Sequence, residues 1–348
     1  MERVLRVLVV DDSAYVRKMI RQMLSRSPYV EVVGAARDGE EALEMVEMLE
    51  PDVVTLDLIM PRMNGVEFLR AQMARKPIPV IVVSIASESG EMALEALDAG
   101  AIDFVQKPTA LATEKIFEIA EELLGKVRAA ASASLSQLKA IKAPEASRPP
   151  VGARGIEGKR LVDAVVLGIS TGGPQALRYL IPRLPKDLPV PFAMVLHMPV
   201  GYTEMYAKAL NDLSAIDVKE AREGDLLRPG LVLLAPAGRH MTFRRSVEGV
   251  VAHLDARPFD TPHRPSVDVL FQSAAETYRD RVLGVVMTGM GSDGKQGSAW
   301  IKAQGGLIYT EAEESCVIYG MPRSVVEAGL SDRAVALDRM AEAIRETV

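Results

Sequence analysis

The segment AVVLGISTGGPQAL, residues 164–177, places a serine between a strand and the start of a helix. The apolar, β-branched run 164–167 predicts a buried strand, and Pro174 suits the first turn of a helix. Between them, the pattern Gly-x-Ser-x-Gly puts Ser170 on the connecting turn, where its hydroxyl faces the free amides of the helix N-terminus. Such turns often contain glycine and serine, so the pattern alone fits either a nucleophile or an ordinary turn.

Length and composition limit the class of protein. The 348 residues are enough for two domains, and the formal net charge of −6 argues against nucleic acid or an anionic membrane as the main partner. No apolar run has the length of a membrane span and the N-terminus is unlike a signal peptide, so we expect a cytoplasmic protein without membrane insertion. Cys316 is the only cysteine, which excludes an internal disulfide and a cysteine-based zinc site.

Residues 1–125 alternate apolar strands with amphipathic helical patterns. This alternation predicts an α/β fold with a doubly wound, flavodoxin-like parallel sheet. The predicted strands are 5–10, 30–35, 52–56, 80–84 and 102–105. The predicted helices lie near 14–26, 39–49, 65–75, 90–99 and 113–128.

Polar residues follow four of these strands, namely Asp11, Asp12, Asp57, Ser84 and Lys107. Because the carboxyl ends of parallel strands meet at one edge, we expect these side chains to share a crevice. Three carboxylates repel one another unless they bind a hard cation such as Mg²⁺, and a lysine and a hydroxyl complement a phosphoryl group on one carboxylate. Helix capping is the alternative role for such acids.

These motifs resemble the response-regulator receiver domain over residues 1–125. The matching residues are Asp11-Asp12-Ser13, Asp57 with Met60-Pro61 and Asn64-Gly65, Ser84, and Lys107-Pro108. The resemblance implies that Asp57 accepts phosphate from a histidine kinase, and that Ser84 and Lys107 contact the phosphoryl group. It further implies a Mg²⁺ site formed by Asp11, Asp12, Asp57 and the carbonyl of Ile59. Phe104 falls at the aromatic switch position of the family, although the residue by itself fits a core position better.

Residues 126–160 lose the periodic pattern, and their alanine, serine, proline and basic residues predict a linker. Residues 161–348 form a second predicted domain with strands at 164–169, 192–196, 231–235, 282–287 and 307–310. Residues 242–254 predict a β-hairpin that turns near Glu248-Gly249. We therefore expect a second doubly wound, mostly parallel sheet with a hairpin.

Two strand ends of this second domain supply partners for Ser170. His197 follows the strand 192–196, and Asp293 follows the strand 282–287. His197 is placed to take the serine proton, Asp293 to orient the imidazole, and backbone amides to stabilise an oxyanion. Of the remaining histidines, His240 and His263 lie in loops where either is placed to contact substrate, and His253 has a structural position in the hairpin.

Other interpretations of the second domain remain open on the residues alone. The chain order Ser, His, Asp differs from the order Ser, Asp, His of α/β-hydrolases, so the Gly-x-Ser-x-Gly pattern does not indicate an α/β-hydrolase. The pattern Gly289-x-Gly291-x-x-Gly294 matches a dinucleotide fingerprint, and Glu311 ends the next strand near the acid of such a site, but Asp293 puts a carboxylate where a pyrophosphate belongs. A non-catalytic response regulator whose second domain is a binding module is a further alternative.

Five segments resemble the catalytic domain of the CheB family of chemotaxis protein-glutamate methylesterases: GISTGGP (168–174), LHMP (196–199), HRPSVDVLF (263–271), TGMGSDG (288–294) and SCVIYGMPR (315–323). The resemblance implies that Ser170, His197 and Asp293 form the triad, that Thr171 adjoins the nucleophile, and that the Met290 amide binds the oxyanion. It implies a phosphorylation-activated esterase acting on chemoreceptor glutamate methyl esters, and glutamine deamidation, without a cofactor in the catalytic domain. We expect the unphosphorylated receiver to cover the Ser170 crevice.

Overall fold

The computed structural model describes residues 3–107, 113–132 and 161–348, except the side chains of 86–89, 113–118 and 132. The chain divides into two units, Met1–Ala140 and Ile141–Val348, each of which is described by itself. Within the described residues, no helix combines the length and the apolar character needed to cross a membrane.

The first unit is a parallel sheet of five strands in the order β2-β1-β3-β4-β5. Its strands are β1 (Leu5–Val10), β2 (Val30–Ala36), β3 (Val53–Leu56), β4 (Val80–Ser84) and β5 (Asp103–Gln106). Its helices are α1 (Ala14–Leu24), α2 (Gly39–Leu49), α3 (Gly65–Arg75), α4 (Ala86–Asp98) and α5 (Thr113–Ser132). The order reverses between β1 and β3, which opens a crevice at their carboxyl ends.

Side-chain caps explain where the first three helices begin. Ser13 caps α1 and Asp38 caps α2, while Asn64 and Glu67 form a capping box on α3. These starts agree with the predicted ones. Helix α4 starts four residues before the predicted position, because its N-cap residue Ile85 makes no side-chain hydrogen bond and so leaves no capping signal in the sequence.

Helix α5 extends through Ser132, four residues beyond the predicted helix end near 128, so residues 126–132 of the predicted linker are helical. Lys126, where the predicted helix and the predicted linker overlap, is tied into the unit. Its buried ammonium lies 3.2 Å from Asp103 Oδ1 and 3.0 Å from Glu122 Oε1, and donates a 2.8 Å hydrogen bond to the Phe104 carbonyl. The basic residue is therefore part of the core of the unit. The remainder of the predicted linker, 133–160, lies outside the described residues.

The second unit contains a parallel sheet of seven strands in the order β14-β13-β12-β6-β7-β9-β8. Its strands are β6 (Ala164–Ile169), β7 (Phe192–Leu196), β8 (Asp217–Glu220), β9 (Leu231–Leu234), β12 (Val282–Val286), β13 (Leu307–Glu311) and β14 (Arg333–Val335). Its helices are α6 (Gly173–Leu180), α7 (Thr203–Leu213), α8 (Val267–Tyr278), α9 (Lys295–Ala303), α10 (Met321–Glu327) and α11 (Leu337–Thr347), with a 3₁₀ turn at Ile181–Arg183.

The predicted hairpin is present as β10 (His240–Ser246) and β11 (Gly249–Asp255). These strands pair with each other as a separate antiparallel sheet, which lies against α8 through a hydrogen bond from the Phe243 amide to Ser273 Oγ. The edge strands β8 and β14 are absent from the prediction. They have four and three residues with largely exposed side chains, so they carry too little apolar periodicity to be recognised.

Gly168 allows α8 to lie directly on β6. A Cβ atom at this position would lie 2.2 Å from Val267 Cγ1, a distance that no packed side chain tolerates. Val267 is the first residue of α8, so this contact fixes the N-terminus of α8 over the carboxyl end of β6.

We predict that Gly168→Ala destabilises the second unit by about 1–3 kcal/mol through overpacking. Val267→Ala in the same chain should relieve part of that loss, so the double variant should be more stable than the sum of the single changes predicts. Urea unfolding followed by the fluorescence of Trp300 measures this unit alone, since Trp300 is the only tryptophan and lies in α9. Strict additivity of the two substitutions would contradict the proposed clash.

Candidate active site

Ser170 lies on the turn between β6 and α6, as its sequence pattern predicts. Its amide donates to the Thr288 carbonyl at 3.0 Å, and its own carbonyl accepts from the Gly173 amide at 2.7 Å. Gly172 starts α6 with φ +77°, a left-handed conformation that favours glycine. The turn therefore holds Ser170, which is 7% exposed, in one defined position at the carboxyl edge of the sheet.

His197 follows β7, the parallel neighbour of β6. Ile169 is paired with Leu196, and the His197 amide donates to the Ile169 carbonyl at 3.1 Å, so Ser170 and His197 leave adjacent strands side by side. The His197 Nε2 atom lies 2.8 Å from Asp293 Oδ2, and both side chains are 8% exposed. His197 Nδ1 is buried and has no hydrogen-bond partner in the described part of the chain.

The partner on Nε2 determines which nitrogen of His197 can act as a base. A carboxylate only accepts hydrogen bonds, so the neutral imidazole beside Asp293 carries its proton on Nε2. The lone pair then resides on Nδ1, the nitrogen that remains unpartnered. The residues predicted the Ser, His and Asp set, but they held no information on this tautomer.

Asp293 is bound by the N-terminus of α8. Its carboxylate accepts the Val267 amide at 2.8 Å, the Asp268 amide at 2.9 Å and the Ser266 hydroxyl at 2.9 Å. Burial alone would raise the pKa of Asp293, but the His197 contact and the amides of α8 hold this pKa well below its usual range. Asp293 therefore remains ionised beside the imidazole.

A buried carboxyl group supports the Ser170 turn. Glu311, at the end of β13, accepts the Thr288 amide at 2.9 Å and the Ser315 hydroxyl at 3.0 Å. The Thr288 hydroxyl donates to the Thr171 carbonyl at 3.0 Å and accepts from the Ile318 amide at 2.9 Å. Thr288 thus connects Glu311 to Ser170 and Thr171.

Glu311 is fully buried, and burial raises its pKa to about 7. Its side chain therefore cannot reach the ribose of a dinucleotide. The Asp293 carboxylate, in the glycine-rich loop where the pyrophosphate would bind, is hydrogen-bonded to the N-terminus of α8. The dinucleotide interpretation of Gly289, Gly291 and Gly294 is therefore wrong. No sequence pattern distinguishes such a buried acid from the exposed acids that often end strands.

The remaining histidines have different surroundings. His240 is fully buried, accepts the Ser266 amide on Nδ1 at 3.1 Å, and has Nε2 3.1 Å from the Pro258 carbonyl, so it supports the loop before α8 and is not available to substrate. The His263 ring stacks on His197 with 4.0 Å between ring centroids. His253 lies in the hairpin with Nδ1 2.9 Å from Glu223 Oε1.

The expected oxyanion residues lie around Ser170. Gly289 is so close that a Cβ there would be 2.8 Å from Ser170 Cβ, so the following residue, Met290, lies near Ser170. Within the described residues, the Met290 amide donates no hydrogen bond. Thr171 is buried next to Ser170. This arrangement is compatible with the oxyanion assignment, which stays a prediction.

A second polar cluster occupies the crevice of the first unit. Asp11, Asp12 and Asp57 each offer a carboxylate oxygen, and these oxygens lie within 4.8 Å of one another. Lys107 Nζ lies 2.7 Å from Asp57 Oδ2 and 2.9 Å from Asp11 Oδ2. Burial raises the pKa of Asp57 to about 6, despite the opposing effect of Lys107. Three hard oxygen donors at this spacing fit a divalent cation such as Mg²⁺.

The other residues predicted for this crevice are also near it. Ser84 ends β4 and is buried, and its carbonyl accepts the Lys107 amide at 2.8 Å. Phe104 is buried in β5. Ile59, two residues after Asp57, has an exposed side chain, and the role of its carbonyl remains a prediction.

Comparison with protein families matches residues 165–344 to the CheB methylesterase family and residues 7–120 to the response regulator receiver domain. A Myxococcus xanthus protein named protein-glutamate methylesterase/protein-glutamine glutaminase 5 is 49% identical over 346 residues, which cover 99% of this chain and 98% of that protein. A similarly named Pyrococcus horikoshii protein is 40% identical over 356 residues, with 100% and 95% coverage. The solved CheB methylesterase catalytic domain of Thermotoga maritima is 39% identical with a TM-score of 0.53, covering 54% of this chain and 99% of that one.

The raised pKa of Glu311 predicts a pH-dependent stability of the second unit. Because the folded pKa of about 7 exceeds the ordinary glutamate pKa of 4.5, the stabilisation is complete below pH 4.5 and is lost as pH rises through 7. The loss amounts to roughly 3 kcal/mol. Urea unfolding followed by Trp300 fluorescence at pH 5 and pH 8 should show a larger fall in stability for the wild type than for Glu311→Gln. Equal falls in the two proteins would mean that Glu311 does not titrate in this range.

Proposed function

The chain belongs to the CheB methylesterase family, and we propose that Ser170, His197 and Asp293 hydrolyse the γ-methyl esters of chemoreceptor glutamates to glutamate and methanol. The observation that carries this assignment is the 2.8 Å contact between His197 and Asp293 at the sheet edge where Ser170 leaves the adjacent strand. The enzyme acts in chemotactic adaptation, and phosphorylation of its receiver domain activates it. Its substrate is the cytoplasmic part of a methylated chemoreceptor.

The reaction proceeds by acyl transfer through Ser170. The serine oxygen attacks the ester carbonyl while its proton passes to Nδ1 of His197, and Asp293 stabilises the resulting imidazolium from the Nε2 side. The Met290 amide donates to the oxyanion, next to Thr171. The bond to the methoxy group then breaks, and the proton leaves with it as methanol. Water attacks the acyl group, gives one proton to Nδ1, and releases the glutamate as Ser170 regains its proton.

The same site deamidates receptor glutamines. An amide and a methyl ester differ in the leaving group, which is ammonia in one case and methanol in the other, while the acyl group left on Ser170 is identical. Both relatives compared above carry glutaminase in their names. No part of the catalytic machinery proposed here requires a cofactor.

The receiver domain takes its phosphoryl group from a histidine kinase, and Asp57 is the acceptor. Asp11, Asp12 and Asp57, with the Ile59 carbonyl, would hold Mg²⁺, which when bound offsets the negative charge around Asp57. Lys107 already contacts the Asp57 carboxylate and is placed to pair with a phosphoryl oxygen. Ser84 contacts the phosphoryl group from β4, and Phe104 is the aromatic residue that responds to it.

Ser170→Ala should reduce methanol release from a methyl-esterified chemoreceptor by at least roughly a thousandfold, because the acyl group then has no acceptor on the protein. Ser246→Ala, an equal change at the exposed hairpin turn, is the matched control and should retain the wild-type rate. A binding module without catalysis would release no methanol with any of these proteins. Wild-type rates in the Ser170 variant would exclude Ser170 as the nucleophile.

Asp57→Asn should abolish the response of the full chain to a small phosphodonor with Mg²⁺. In the wild type, the phosphodonor is expected to raise the rate of methanol release, because phospho-Asp57 activates the catalytic domain. Asp52→Asn, at a carboxylate that pairs with Arg3 near the start of β3, is the control and should keep the response. An undiminished response in the Asp57 variant would contradict the assigned phosphorylation site.

A further inference from the structure

The N-termini of α8 and α9 are capped by each other's carboxylates. Asp293, in the loop before α9, accepts the Val267 and Asp268 amides of α8. Asp268, in the first turn of α8, accepts the Gly294 amide at 2.9 Å and the Gly297 amide at 2.7 Å, both through Oδ1. We call this arrangement of Asp268, Asp293, Gly294 and Gly297 the reciprocal cap. Each acid lies at the positive end of the other acid's helix.

Close packing of the helices leaves the reciprocal cap little room to move. A Cβ atom on Gly297 would lie 2.5 Å from Phe271 Cβ and 3.0 Å from Asp268 Cα, so the two helix N-termini are in direct contact. The Gly294 amide is shared, since it lies 2.9 Å from Asp268 Oδ1 and 3.0 Å from Asp293 Oδ1. The residue after the catalytic acid is therefore held by both carboxylates.

The pKa values of the two carboxyl groups are shifted in opposite directions. Burial and the neighbouring Asp293 raise the pKa of Asp268 to about 6, whereas the His197 contact and the α8 amides depress that of Asp293. Within the described residues, Asp268 does not contact His197; its carboxyl group meets the Gly294 and Gly297 amides and the carboxyl group of Asp293. Its effect on the imidazole must pass through Asp293.

We propose that Asp268 is a positioning residue for the catalytic triad. By binding Gly294 and Gly297 it fixes the loop that carries Asp293, and Asp293 in turn fixes the orientation and tautomer of His197. This inference rests on the proposed esterase function. This role requires a hydrogen-bond acceptor at position 268, but it does not require a full negative charge.

Two removals and one conservative change test the proposal in the full chain. Asp268→Ala and Asp268→Ser remove the acceptor that reaches both amides, whereas Asp268→Asn retains a side-chain oxygen there. Asp332→Ala is the matched control, because Asp332 in the same unit accepts the Ile308 amide at 2.8 Å and pairs with Lys302, without contact to the triad. Thermal unfolding of every variant identifies an assay temperature at which all of them are folded.

Asp268→Ala and Asp268→Ser should lower kcat for methanol release about 10- to 100-fold with KM within about twofold, because a misplaced base slows chemistry more than binding. Asp268→Asn should stay within about threefold of the wild type, and Asp332→Ala should leave kcat unchanged. The proposal would be overturned by a wild-type kcat in the Ala and Ser variants of Asp268. It would also be overturned if Asp332→Ala lost as much activity, or if Asp268→Asn were as slow as the Ala and Ser variants.

A second readout does not depend on activity. The proton between His197 Nε2 and Asp293 should give a downfield ¹H NMR signal that disappears in a His197→Gln reference. The signal should shift upfield in the Ala and Ser variants of Asp268 and stay in place in Asp268→Asn and Asp332→Ala. An unmoved signal in the Ala and Ser variants would overturn the positioning role. If Ser170→Ala retained activity while this signal behaved as expected, the proposed function would fail and the positioning role would stand.

Discussion

The binding of the Asp293 carboxylate to the N-terminus of α8 is the interaction on which the catalytic site depends. Helix α8 can reach this position only because Gly168 in β6 has no side chain to meet Val267. Strand β12 lies on one side of β6 and leads to the Asp293 loop, while β7 lies on the other side and ends at His197. The reversal of strand order at β6 thus brings three separate segments of chain to one place. An ionised Asp293 then holds His197 through Nε2.

The two units apply the same sheet architecture to different chemistry. In the first unit, Asp57 is buried beside Asp11 and Lys107, and burial raises its pKa to about 6. In the second, Asp293 is buried as well, but an imidazole and helix amides keep its pKa depressed. Helix amides and an imidazole thus stabilise the charge of Asp293 more effectively than one lysine does in a cluster of acids. Two buried carboxylates at equivalent sheet edges thus have pKa values shifted in opposite directions, because their hydrogen-bond partners differ.

The sequence was informative where chemistry follows the ends of apolar strands. The placement of Ser170, His197 and Asp293 at one sheet edge could be predicted because the carboxyl ends of parallel strands share an edge, and the same reasoning predicted that Asp11, Asp57 and Lys107 lie together. Contacts that depend on packing between helices were not predictable. Residue spacing does not predict three features of the site. These are the reciprocal cap that Asp268 forms, the burial of Glu311, and which nitrogen of His197 contacts Asp293. Lys126 illustrates the same limit, since the predicted helix and the predicted linker overlapped at this residue, and its burial against Asp103 could not be predicted from the sequence.

The tautomer of His197 tests the catalytic account most directly. In the full chain with ¹⁵N-labelled histidine, the signals of His197 can be identified by their loss in His197→Gln, and their shifts show which nitrogen carries the proton. The account predicts a neutral ring protonated at Nε2, next to Asp293, with an unprotonated Nδ1 that is free to accept the Ser170 proton. A neutral ring protonated at Nδ1 would leave no base for Ser170 and would contradict the mechanism.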